Sequence, residues 1–385
     1  MGLSFEDLQI NKRTVSARKL REVSLFLGTH DSMNVGMFLL VAIIKIAITV
    51  GVLLTIVAYS VWLERKVVGH MQNRWGPTRV GPFGLLQPLA DGLKFILKED
   101  LTPPYVNRTL FILAPMLALV MALTSIALVP IGPNITIGSV TTPIQITGVE
   151  TANNQPADIG IGLLIIFGVT SLGVYGIALA GWSSNSKYSL LGALRASAQM
   201  VSYEVALGLS LVGVLMVSGS FSLRTIVERQ LGSPWHWNIF NGGWQFVAFF
   251  IYLMAAFAET NRIPFDLPEA ETELVAGYHT EYSSMKFAMF FMAEYANMVT
   301  VACLASVMFL GGWSGPVFGP PILQSLLPIL WFLARVFCFI FLYIWVRGTL
   351  PRFRYDQLMG FGWKFLLPLS IANILITGLI VALRA

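Results

Sequence analysis

The sequence predicts an all-α fold: a polytopic membrane helix bundle of about eight transmembrane helices, with an amphipathic interfacial helix near 85–97. Three observations carry that expectation. Of 385 residues, 56% are hydrophobic and 12% are charged, against about 25% charged in a soluble domain. Apolar runs recur at about 36–62, 109–131, 160–182, 200–218, 243–259, 287–311, 323–346 and 365–383, near the ~20 residues that a hydrocarbon core ~30 Å thick requires. The runs are continuous, not alternating, so they specify helices and not a closed barrel.

The elements follow in chain order. Residues 1–33 form a polar extension, with Glu6, Asp7, Glu22 and Asp31 beside five basic residues. A secretory signal would place a short apolar stretch there, and a mitochondrial presequence would be poor in acids. Residues 34–385 read as a single transmembrane helical domain, since no repeat or linker divides them. After the first span, Gly-Pro at 76–77 and 81–82 forces turns. Leu85, Leu86, Leu89, Leu93 and Ile96 then recur at helical spacing, with Asp91, Lys94 and Lys98 off the stripe. Such a helix lies at the interface or packs on the bundle. The fourth span is the weakest, with an apolar core of 13 residues at Val205–Val217 and Glu204 at its edge.

Fifteen Lys and Arg residues, from Arg65 to Lys364, fall in the loops after spans 1, 3, 5 and 7. The opposite side carries Arg224, Arg229 and Arg384, or eight basic residues when the extension is added. The positive-inside rule puts the richer side in the cytoplasm and both termini outside. The net charge of +5 fits anionic lipid headgroups or an acidic partner. Basic residues flank helices and form no stripe with stacking aromatics, so nucleic acid is not an expected partner. Cys303 and Cys338 sit in apolar spans as expected buried thiols. No Cys or His cluster has metal-ligand spacing, so no metal or iron–sulfur centre is expected.

The chemistry is concentrated in carboxylates near the membrane. From Glu259 to Glu273 there are five acids in fifteen residues: Glu259, Asp266, Glu269, Glu271 and Glu273. Pro264 and Pro268 forbid one continuous helix across them. They alternate with Phe265, Leu267, Leu274 and Val275, unlike a solvated acidic loop. Glu204 and Glu294 lie in the cytoplasmic halves of spans, where an unpaired anion is costly and needs a partner. Such acids are suited to proton relay, or they are structural acids paired with Arg or Lys. Arg335 is a natural counter-charge for one of them. Asp91 reads alternatively as a surface acid paired with Lys94 or Lys98. After span 7, Arg347, Arg352 and Arg354 flank aromatics, which suits a polar ring with an apolar tail, or simply retains topology.

Several motifs carry a resemblance: Glu64-Arg-Lys with Gln72-Asn-Arg-Trp-Gly-Pro, Gly84-Leu-Leu-Gln-Pro-Leu-Ala-Asp91, and Gly181-Trp-Ser-Ser-Asn-Ser-Lys-Tyr. To these are added Arg195-Ala-Ser-Ala-Gln with Ser202-Tyr-Glu, the acidic loop through Gly277-Tyr-His-Thr-Glu281-Tyr-Ser, and Pro351-Arg-Phe-Arg-Tyr-Asp-Gln-Leu-Met. Over about residues 36–383 the chain resembles the family of H subunits of proton-pumping NADH–quinone oxidoreductase, respiratory complex I, called subunit 1 in mitochondria. The resemblance implies a membrane anchor for the hydrophilic arm that forms part of a quinone tunnel and begins the proton-coupling path. By motif, the tunnel residues would be Arg65, Arg74, Phe265, Arg347 and Arg352. The coupling acids would be Asp91, Glu204, Glu259, Glu269, Glu271, Glu273, Glu281 and Glu294. Quinone would be the substrate, with no cofactor bound in this chain. NADH, FMN and iron–sulfur clusters would belong to partner subunits of the hydrophilic and membrane arms. The expected location is the cell inner membrane, multi-pass, in a prokaryote sooner than a mitochondrion. The alternatives are the homologous subunit of an energy-converting hydrogenase or other-donor complex, and a stand-alone ion-coupled transporter. The absence of an internal repeat weighs against the transporter.

Overall fold

In a computed structural model of the chain, the described residues are 35–133, 135–137, 140–142, 149–150, 156–157, 160–240, 244–266 and 276–384. The extension 1–33 and the acids Glu269, Glu271 and Glu273 lie outside them.

The first helix, α1 (Val35–Met71), continues past its apolar run and ends on the Glu64-Arg65-Lys66 segment and a further helical turn. A 3-10 turn at Pro82–Gly84 then leads into α2 (Gln87–Leu97), the expected amphipathic helix. None of its residues is buried, and Leu89, Leu93 and Ile96 are exposed. Next come α3 (Arg108–Ile126) and α4 (Gly162–Ser183), joined through two small antiparallel hairpins. In these hairpins Ile135 pairs with Thr142 and Val149 with Ala157. The fourth span is longer than its apolar core suggests. A tight turn after α4 opens α5 (Lys187–Ser218), a 32-residue helix carrying Arg195 and Glu204 within it. A short helix α6 (Leu223–Arg229) follows. The fifth span is α7 (Gln245–Glu259), only 15 residues and so roughly 22 Å long, short of a ~30 Å core. The chain then runs irregularly through Thr260–Asp266. The last helices are α8 (Ser284–Phe309), α9 (Pro321–Thr349), α10 (Tyr355–Phe361), a π-helical turn at Gly362–Leu366, and α11 (Leu367–Arg384).

Among the described residues, seven helical segments are long and apolar enough to cross a membrane, with α7 as a shorter eighth. The all-α membrane bundle is therefore the fold, with one span reduced. The core follows α8, whose side chains from Met298 to Phe309 are all buried. Two buried tyrosines satisfy their hydroxyls across helices, as burial in an apolar medium favours. Tyr252 donates to the Val301 carbonyl at 2.8 Å and Tyr203 to that of Leu358 at 2.8 Å. Gly192 on α5 meets the Gly277 turn so closely that a Cβ would stand 2.8 Å from the Gly277 Cα. That contact seats the Tyr278-His279 turn against α5.

Two expectations are corrected here. Arg335 does not neutralise a buried acid. Its guanidinium donates to the carbonyls of Gly312 and Ser314 and lies 4.7 Å from the Trp237 ring centroid. The Gly311–Ser314 turn folds back to α9 and offers carbonyl oxygens nearer than any carboxylate. Cys338 is exposed on the outer face of α9, whereas Cys303 is buried as expected.

Candidate functional site in the irregular segment after the short helix

Because α7 stops early, its last residue and the segment behind it are placed inside the bundle. Arg262 is 4% exposed there. Its Nη1 lies 3.1 Å from Glu64 Oε2 and its Nε 2.5 Å from Glu294 Oε1. Its guanidinium also stacks 3.9 Å from the centroid of Tyr295, whose hydroxyl donates to Glu64 at 2.7 Å. Glu64 receives a second cation, since Arg347 Nη1 bonds its other oxygen. The result is an alternating row, Arg347–Glu64–Arg262–Glu294, drawn from α1, α8, α9 and the irregular segment. Each buried charge faces its opposite, the condition under which ions persist out of water.

A second arm runs through the following residues. Asp266 is 4% exposed and accepts from Arg352 Nη2 at 3.1 Å. Phe265 is buried, 5.7 Å from a nearly parallel Phe353 ring and 6.0 Å from Tyr203. Gln199 holds the backbone, donating to the carbonyls of Ala258 at 2.8 Å and Phe265 at 2.7 Å. The Phe353 amide donates to the Pro264 carbonyl at 3.1 Å. Arg352 and Phe353, after the seventh span, thus stand against the segment after the fifth.

Glu259 lies beside two cavities. One, about 520 Å³ of partly open space, is also lined by Asn261, Glu294 and Asn297. The other, about 290 Å³, is also lined by Thr170, Asn297 and Thr300. Glu204 accepts a hydrogen bond from the Ser171 hydroxyl and is near enough to Glu259 for their charges to interact. The acids Glu294, Glu259 and Glu204 therefore succeed one another across α8, α7 and α5.

The remaining sites are peripheral. Asp91 pairs with Arg65 at 2.6 Å and accepts from Gln87 at 3.0 Å, so its partner is neither Lys94 nor Lys98. Arg74 is exposed and bonds Gln72 within its own turn. Glu281 accepts from the Tyr105 hydroxyl at 2.8 Å. Sequence reasoning assigns no role to Glu64, Arg262 or Asp266. Glu64 reads there as part of the basic loop after span 1, and a helical reading past residue 62 would put it on α1. Among the described residues, no group of three or more His, Cys, Asp or Glu could hold a metal ion.

His279 is boxed by Tyr278 and Phe287, with ring centroids at 4.9 and 5.2 Å. Burial lowers its pKa to about 4, only partly offset by Asp266. Its stabilising effect, being neutral, is complete above the unfolded value near 6.5 and is lost as pH falls toward 4. The full shift corresponds to about 3 kcal/mol. His279→Gln should therefore flatten the fall in thermal stability between pH 6.5 and 4. Parallel curves for the two proteins would refute a buried neutral His279.

A multi-pass helical bundle with paired ions held beside a short span defines the class, a membrane protein that holds charge inside its own helix bundle. The sequence matches the family described as NADH dehydrogenase over residues 44–378. It is 78% identical over 353 residues to an H subunit (number 2) of NADH-quinone oxidoreductase from Koribacter versatilis, covering 91% of this chain and 99% of that one. It is 51% identical over 397 residues to an H subunit (number 1) from Solibacter usitatus, covering 90% and 98% of the two chains. It is 52% identical over 341 residues to an H subunit (number 1) from Geobacter sulfurreducens, covering 88% and 94%. The chain belongs to the family of H subunits of NADH-quinone oxidoreductase, respiratory complex I.

Proposed function

We propose that this chain, with residues 34–385 as one membrane domain, forms part of the quinone tunnel, anchors the hydrophilic arm and starts the path coupling quinone reduction to proton translocation. The observation that carries the reading is Glu64, which accepts from Arg347 on one oxygen and from Arg262 on the other. Arg347 and Arg352 are 31% and 40% exposed at the side chain, whereas their carboxylate partners Glu64 and Asp266 are 12% and 4% exposed. Partly open arginines can turn toward a quinone headgroup or its anionic reduced form, which they would stabilise electrostatically. Drawing Arg347 away leaves Arg262 as the remaining ion-pair partner of Glu64. Arg262 passes the change on to Glu294, and Glu259 and Glu204 continue the row. The two electrons come from NADH through FMN and iron–sulfur clusters in partner subunits, and the two protons join the quinone. The relatives' names favour this reading over a hydrogenase subunit, and their membership of a complex weighs against a lone transporter.

Arg352→Ala and Arg74→Ala should lower quinone reductase activity while NADH–ferricyanide electron transfer persists, because that acceptor is reduced upstream. Loss of both activities together with complex assembly would make these arginines structural.

The bias in basic residues supports outside termini. An engineered cysteine beyond Leu383 should react with an impermeant reagent in spheroplasts. Reaction only after lysis would reverse the orientation.

A further inference from the structure

We infer that Tyr105 is a positioning residue for Glu281, on a strap between α2 and α3 that Lys286 locks to the start of α8. This rests on the reading of Glu281 as a coupling acid. The strap, residues 98–107, is fastened along its length. Ser284 Oγ donates to the carbonyls of Phe95 at 2.8 Å and Lys98 at 2.9 Å. The Leu101 amide donates to Ser283 Oγ at 3.0 Å. Lys286, 9% exposed, pairs with Asp100 at 3.0 Å, donates to Thr102 Oγ1 at 2.8 Å and lies 5.2 Å from the Phe111 centroid. Beyond Tyr105, Asn185 Nδ2 donates to the Tyr105 carbonyl at 3.3 Å and the Asn107 amide to that of Ser183 at 3.1 Å.

Tyr105 is thereby fixed on both sides, yet the residue is 52% exposed. Its main polar contact is the hydroxyl on Glu281 Oε2. That bond to the carboxylate, with some burial, raises the Tyr105 pKa above its ordinary value, so the hydroxyl remains a donor. A carboxylate that trades protons works only when held in the right direction. The titratable and charged groups on these elements are Lys98, Glu99, Asp100 and Tyr105 on the strap, Arg108 behind it, and His279, Tyr282 and Lys286 on its own side. Tyr105, which bonds Glu281, and Lys286, which locks the strap, can both be changed without touching the buried acids.

The test uses the assembled complex in inverted membrane vesicles. Tyr105→Phe removes only the hydroxyl. It should leave assembly on native gels and NADH–ferricyanide activity intact. Quinone reductase turnover should fall about three- to tenfold, the scale of one net hydrogen bond, and its pH profile should shift. Lys286→Met should reproduce that shifted profile, and Lys286→Arg should retain the native one. Tyr105→Phe combined with Glu281→Gln should lose no more than Glu281→Gln alone. Native turnover and profile in Tyr105→Phe beside an impaired Glu281→Gln would overturn the positioning role alone. Native behaviour of Glu281→Gln would instead remove Glu281 from the path, and the inference with it. Failure of Tyr105→Phe to assemble, or additive losses in the double variant, would make Tyr105 a strut and overturn the inference.

Discussion

Arg262→Leu is expected to abolish stable assembly of the protein into its complex. The change leaves Glu64 and Glu294 facing each other across an apolar side chain, both largely shielded from water. Removing one partner of a buried ion pair costs about 3–5 kcal/mol, and here one cation serves two anions. Arg347 still reaches Glu64, but Glu294 loses its ion pair with Arg262. Arg262→Lys keeps the charge without the planar fork that spans both acids and stacks on Tyr295, so it should assemble with reduced stability. A double change, Arg262→Leu with Glu294→Gln, should recover part of the loss by removing an uncompensated charge. The measurement is thermal stability and yield of the complex on native gels. A stable, fully assembled Arg262→Leu complex would mean that the row of ions is not a structural unit.

Glu204→Gln is expected to leave the complex assembled while quinone reductase turnover and proton pumping fall together. The amide keeps the side chain's shape and still accepts from Ser171, but it carries no exchangeable charge. If Glu204 relays protons, the loss should be on the order of 100-fold or more, the contribution of one positioned acid or base. Glu294→Gln should show the same loss with an added fall in stability, because it also takes a partner from Arg262. Glu204→Asp should retain part of both activities. Turnover and pumping are read in inverted vesicles, with NADH–ferricyanide transfer as the control. Full turnover and pumping in Glu204→Gln would reduce Glu204 to a buried polar group held by Ser171.

The spans are legible in the sequence because a bilayer imposes a length and a polarity on each of them, and both are local properties of the chain. The amphipathic helix is legible for the same reason, since Leu89, Leu93 and Ile96 share a face at helical spacing. One boundary is not. The long helix α5 runs through Arg195 and Glu204 because its first half packs against the Gly277 turn and Arg195 meets the Tyr355 ring at 5.7 Å. The end of α7 at Glu259 coincides with the end of the apolar run 243–259, and Gln199 takes the Ala258 and Phe265 carbonyls beside it.

The candidate site divides in the same way. The sequence by itself determined the class of protein and the residue types of its chemistry, acids and arginines kept beside a membrane at a cost that only pairing or function offsets. It also determined that the segment after α7 could not be one helix, because Pro264 and Pro268 sit within it. Only the tertiary structure decided the pairs. Glu64 and Arg262 are 198 residues apart, and Glu64 and Arg347 are 283 apart. Nothing local distinguishes Arg262, which binds two acids, from Arg335, which binds two carbonyls. The physical reason is that a buried ion takes the nearest opposite charge or dipole that packing delivers, and that choice is made by how distant helices meet.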